Sequence, residues 1–212
     1  MKKILLVGDS IRQGYDKYVK MAFEDVAEVY YPSENSRFVM YVCRCLYDWK
    51  NETKCGDDVD VVHWNAGLWD DLILTDGKHL TSIEIYKEYV DRACNLIKIL
   101  FPKAKMIFAT STPIQEHLYT GAYKRFNEDT EEYNQVAIEV VKSYGGEIND
   151  LYSIAEAAPV ECYSDMAHFY TKEGTQILTE QVVKCLEEAL DIKAKRLDYG
   201  MLFAEKERIV GI

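Results

Sequence analysis

Short apolar runs that stop at small polar residues recur along this chain, and each is followed by a stretch with the spacing of an amphipathic helix. The runs lie at residues 3–7, 28–31, 59–65, 105–110 and 147–151. Between them the apolar positions fall three and four apart, as in Tyr15, Tyr18, Val19, Ala22, Phe23 and Val26, or Phe38, Val39, Val42, Cys45, Leu46 and Trp49. A third helix, capped by Thr81 or Ser82, is expected to turn Ile85, Tyr89, Ala93, Leu96 and Leu100 to one side. A fourth gathers around Tyr133, Val136, Ala137 and Val140, and the last begins at Thr171. Strands alternating with helices from end to end imply a parallel sheet, five-stranded here, covered on both faces.

The first run, Lys3-Ile4-Leu5-Leu6-Val7-Gly8-Asp9-Ser10, has the continuous apolar character of a central strand and delivers a hydroxyl at its carboxyl end. Ligands of open α/β sheets bind at that end, which places Ser10 for chemistry. Capping the next helix is the alternative role for Asp9 or Ser10. A second run, Val59 to Asn65, continues as Asn65-Ala66-Gly67-Leu68-Trp69-Asp70 and brings an amide and a glycine to the same edge. The chain holds four histidines, at 63, 79, 117 and 168. His63 lies within a strand and reads as a hydrogen-bonded core residue. His168, three residues after Asp165 and just before the last helix, can have one ring nitrogen fixed by that carboxylate while the other stays free as a base. The same pair can instead brace a loop, and the spacing admits both.

Two of these stretches resemble a known family. Gly8-Asp9-Ser10 at the end of strand one, with Asp165-Met166-Ala167-His168 and the following Phe169-Tyr170-Thr171-Lys172-Glu173-Gly174, is similar to the first and last blocks of the SGNH (GDSL) hydrolases. The resemblance spans the chain to about residue 190 and implies a three-layer α/β/α sandwich of flavodoxin-like kind. It implies ester or thioester hydrolysis through an acyl-enzyme, with Ser10 as nucleophile, His168 as base and then acid, and Asp165 as orienter. The oxyanion would be held by the backbone of Ser10, a backbone N–H after strand two and an asparagine after strand three. Two blocks depart from the pattern. The turn Glu34-Asn35-Ser36-Arg37 lacks the usual glycine, so Ser36 is expected to give its backbone N–H. Trp69 stands where the asparagine belongs, so Asn65 is expected to serve as amide donor beside Gly67, with Trp69, Asp9 and Asn35 facing the substrate.

A net charge of −11 opposes nucleic acid and anionic membrane surfaces as partners. No histidine or cysteine cluster has ligand spacing, so neither metal nor cofactor is expected. Six cysteines within apolar patterns, and an amino terminus that runs straight into a strand, point to reduced thiols and a cytoplasmic setting. Trp64, Trp69, Tyr119 and Tyr123 suggest a polar, carbohydrate-like carrier with a short acyl or acetyl group. Lysophospholipase, thioesterase or acyltransferase chemistry would use the same triad. A non-catalytic flavodoxin-like domain is the rival class, since the opening strand also resembles that of receiver domains, although Gly8 interrupts their acidic pair. Residues 1–190 form the expected domain. Residues 191–212 read as a tail that packs on that domain or on a second subunit.

Overall fold

The structure is a computed structural model and describes residues 1–210, with side chains through residue 204. Residues 211 and 212 of the expected tail lie outside the described residues. Five strands, β1 (Lys2–Val7), β2 (Ala27–Tyr30), β3 (Val61–Trp64), β4 (Lys105–Ala109) and β5 (Glu147–Asn149), alternate with helices. They pair in the order β2-β1-β3-β4-β5, every pair parallel, so the predicted sheet is observed. The helices are α1 (Ser10–Phe23), α2 (Val39–Thr53), α3 (Ile83–Leu100), α4 (Asn127–Ser143), α5 (Leu151–Glu156), α6 (Lys172–Leu190) and α7 (Tyr199–Val210).

Alternate residues of each strand feed two separate cores. Ile4, Leu6, Val29, Val61 and Ile107 pack with α1, α5 and α6. Leu5, Val7, Val62, Trp64 and Phe108 pack with α2, α3 and α4. The sheet is therefore the middle of three layers. The chain leaves β1 toward β2 and returns to β3 on the other side of β1, so the carboxyl ends of β1 and β3 flank the switch point where such sheets bind ligands.

Several boundaries differ from the sequence reading. The first helix starts at Ser10 and not near Tyr15, because Asp9 caps it: its carboxylate accepts from the Ile11 N–H. The second runs on to Thr53, beyond Trp49, the last apolar residue of its pattern, and Lys54 ends it in a left-handed conformation. The fourth begins at Asn127, six residues before its first buried tyrosine. On α3 the buried stripe is Tyr86, Val90, Ala93, Cys94 and Ile97, while Ile85 is exposed. Tyr89, Leu96 and Leu100 only flank that stripe. The six cysteines are free. Tyr199 is buried, and Tyr199 and Phe203 lie against the Tyr18 ring of α1, while the Lys195 N–H donates to the Ala22 carbonyl.

Candidate active site

Two loops that are far apart in sequence meet over the carboxyl edge of β1. With Asp9 at the cap, Ser10 is the first residue of α1, and its N–H is among those a helix leaves without an intrahelical partner. The helix dipole favours developing negative charge at that point. His168 is carried by the loop before α6, which is drawn tight by the Ser164 N–H on the His168 carbonyl at 2.7 Å. Asp165 organises this loop, because its Oδ1 accepts from the Ala167 and His168 N–H groups, each at 2.9 Å. Its Oδ2 stands 2.8 Å from His168 Nδ1, and His168 Nε2 stands 2.7 Å from Ser10 Oγ. Asp165 thus does both things the spacing allowed, bracing the loop and fixing the ring. Partial burial pushes its carboxyl up, but the Ala167 and His168 N–H groups and the imidazole outweigh this and hold it below the ordinary aspartate range. A proton on Nδ1 leaves Nε2 as acceptor toward the serine hydroxyl.

Asn65 follows Trp64, which pairs with Val7, so it arrives beside Gly8. A methyl group on Gly8 would sit 1.9 Å from Asn65 Oδ1 and 2.8 Å from Arg12 Cβ, which explains the glycine. Gly67 has a φ of +148°, and a Cβ there would meet Ser111 Oγ at 2.5 Å. Trp69 is partly exposed and lines the cavity described below. Four expectations need correction. The Ser36 N–H is engaged by the Gly8 carbonyl at 3.0 Å, and its hydroxyl accepts from the Gly8 N–H at 3.1 Å, so this residue ties β1 to the next loop and is not an oxyanion donor. Asp9 is fully buried and caps α1, so it does not face substrate; burial pushes its carboxyl up, against the Asn65 amide and the Ile11 N–H. Asn35 does not line the cavity, and its Oδ1 closes a turn on the Arg37 N–H at 2.7 Å. Trp64, expected near a carrier, is instead in the core against Phe108.

Some supporting residues carry no sequence signal as site residues. Arg12 is buried and pairs with Asp16 at 2.5 Å. Its guanidinium also donates to the carbonyls of Gly8, Pro32 and Glu34, joining the Gly8-Asp9-Ser10 turn to the loop after β2. Asp70 and Asp71, both fully buried, fasten the loop after β3. Asp70 accepts from the Val39 N–H at the start of α2. Asp71 accepts from Arg125 at 2.8 Å and from the Thr130 hydroxyl at 2.7 Å. Burial pushes these carboxyls up to about 8 and about 6 respectively. Arg125 further donates to the Leu68 carbonyl and to Tyr119 Oη, so its charge is fully engaged.

Beside Ser10 and His168 opens a cavity of about 470 Å³. Leu68, Leu72, Leu118, Tyr119 and Met166 make its wall largely apolar. Trp69, Leu118, Tyr123 and Met166 are also exposed and ring its mouth. Among the described residues no histidine, cysteine and carboxylate cluster is arranged to hold a metal ion, and no helix is long and apolar enough to cross a membrane.

No family model matches the sequence, and no curated protein matches it. Solved structures do match. A lipase/acylhydrolase from Enterococcus faecalis superposes with a TM-score of 0.71 at 21% identity, covering 93% of this chain and 100% of that one. A GDSL-like lipase from Bacteroides thetaiotaomicron gives 0.68 at 16% identity, covering 89% of each chain. An acetylxylan esterase from Geobacillus stearothermophilus gives 0.62 at 16% identity, covering 86% of this chain and 93% of that one. Identities this low establish shared architecture, and the architecture is that of the SGNH (GDSL) hydrolases.

Proposed function

We propose that this protein is a serine ester hydrolase of the SGNH type that works through an acyl-enzyme on Ser10. The observation that carries the reading is the continuous contact from Ser10 Oγ through His168 to Asp165, at 2.7 and 2.8 Å. In the acylation step Ser10 Oγ attacks the ester carbonyl and its proton passes to His168 Nε2. The imidazolium then protonates the departing alkoxide, and Asp165 holds the ring in the required tautomer throughout. Water, deprotonated by the same nitrogen, releases the acid. The Ser10 N–H and the Asn65 amide are the donors we assign to the oxyanion, where such groups contribute about 3–4 kcal/mol each.

The apolar cavity suits the acyl part of the ester, and the carrier lies outside it. A short acyl ester of a carbohydrate or other polar carrier remains our first substrate class, supported by the acetylxylan esterase among the structural neighbours. The cavity volume extends the acyl range beyond acetyl. The first test is covalent labelling by a fluorophosphonate: the wild type takes one label, and Ser10→Ala takes none and loses about three orders of magnitude or more in kcat. An unlabelled wild type that hydrolyses no ester would sink the reading. Chromogenic esters of increasing chain length then measure the acyl site. Burial of each methylene, at about 0.8 kcal/mol, raises kcat/KM about three- to fourfold until the cavity is filled. A series that falls from acetyl onward confines the substrate to acetyl esters.

A further inference from the structure

Tyr170 touches both the residue that carries the nucleophile and the residue that carries the base. Its hydroxyl donates to the Ser10 carbonyl at 2.6 Å. Its ring stacks on the His168 imidazole, with centroids 4.7 Å apart and planes inclined by 26°. A third contact is independent of these two. Gly14 stands one turn after Ser10 on α1, where an alanine would be the better helix former. A Cβ on Gly14 would lie 2.8 Å from Tyr170 Cε1, so the missing side chain is the seat of the tyrosine ring.

Resting on the serine-hydrolase reading above, we infer that Tyr170 is a positioning residue that clamps the first turn of α1 to the histidine loop and so holds the gap between Ser10 and His168. The clamp has two parts with distinct chemistry. The hydroxyl bond fixes the backbone of the nucleophile against a loop that comes from the other end of the chain. Burial and the nearby Asp9 carboxylate push the phenol up to about 12, so it remains a hydrogen-bond donor throughout the neutral range. The stacked ring limits rotation of the imidazole and shields one of its faces from water. When His168 takes the serine proton, the π face beside it also favours the positive charge. Neither Asp165 nor Ser10 supplies these functions, since Asp165 meets the ring only at its Nδ1 edge.

The test uses p-nitrophenyl acetate with the full chain and a thermal melt of every variant. Tyr170→Phe keeps the ring and loses one neutral hydrogen bond, so kcat falls about fivefold while KM stays within about twofold. Tyr170→Leu loses ring and bond together and lowers kcat about a hundredfold, again with little change in KM, as misplacement of a catalytic group does. Gly14→Ala pushes the ring aside and lowers kcat about tenfold, yet in the Tyr170→Leu background it costs nothing further. Turnover in Tyr170→Leu within twofold of wild type, a loss confined to KM, or an equal Gly14→Ala penalty in both backgrounds would each overturn the inference. Failure of the serine-hydrolase reading is distinct, because it leaves the wild type itself unlabelled and inactive.

Discussion

Asn65 and Gly8 illustrate how one buried contact sets two sequence choices. The amide lies over the glycine so closely that no side chain fits beneath it, and the same placement brings the amide beside the turn that carries Ser10. Replacing Asn65 by alanine is expected to lower kcat by about 100-fold with KM nearly unchanged, the pattern of a lost oxyanion donor. Steady-state kinetics on a short ester checks this, and an unchanged turnover number removes Asn65 from the mechanism. At this scale the sequence was informative where spacing alone decides geometry. Asp165 and His168 lie three apart on one loop, and Ser10 ends a strand, so the carboxylate–imidazole pairing and the place of the hydroxyl could be read. Asp9, Asn35 and Ser36 were misread because a polar residue at a strand end can turn toward solvent or inward, and only burial and the partners of each N–H distinguish the two. Arg12 sits on a helix where an arginine ordinarily faces water, and Tyr170 looks like any aromatic near a core. Their roles depend on contacts with residues distant in sequence, which no local pattern encodes.

Among the elements, the loop after β3 is held most unusually. Two adjacent carboxylates reach in opposite directions, Asp70 to the first turn of α2 and Asp71 to Arg125 and α4. Leu68 and Trp69, which wall the cavity, are fixed between them. Asp71→Ala leaves the Arg125 charge buried without its counterion and is expected to cost about 3–5 kcal/mol of stability, read as a lower urea midpoint. The double variant Asp71→Ala with Arg125→Leu recovers a substantial part of that loss, because no uncompensated charge remains. A double variant less stable than the single one would show that packing, not charge, dominates the contact. The strands and helices themselves were legible because their apolar periods differ, 2 or continuous against 3.6. The inward face of α3 was read nearly one residue out, since Ile85, Tyr89 and Leu96 form an apolar stripe beside the true one. Neighbouring stripes on one helix differ only in what packs against them.

At the level of the whole molecule, a polar chain crosses the α1/α6 side of the sheet. Gln181 of α6 donates to Asn149 Oδ1 at 2.9 Å, which turns the Asn149 amide nitrogen toward His63 Nε2 at 3.0 Å. His63 must then accept, so the ring is neutral, and burial lowers its pKa to about 4. The unfolded chain binds a proton near 6.5 that the folded chain refuses. This contribution to stability is therefore fully present above about pH 6.5 and lost as pH falls toward about 4, to the extent of roughly 3 kcal/mol. Asp70 and Asp71 work in the opposite sense, since their raised values favour the folded state at low pH and that benefit fades as pH rises toward about 8 and about 6. Comparing urea midpoints of wild type and His63→Gln isolates the histidine, because the aspartates titrate in both. The gap between the two proteins should shift in favour of the variant by that amount from pH 7 to pH 4, and a constant gap would contradict the assignment. The strand order has one more consequence. Ser10 follows the first strand and His168 precedes the last sheet-covering helix, so under the proposed mechanism a chain emerging from the ribosome stays inert until its final βα unit has docked. Ester turnover would then serve as a reporter of the docking of these two ends of the sheet, silent in every fragment that carries one partner without the other.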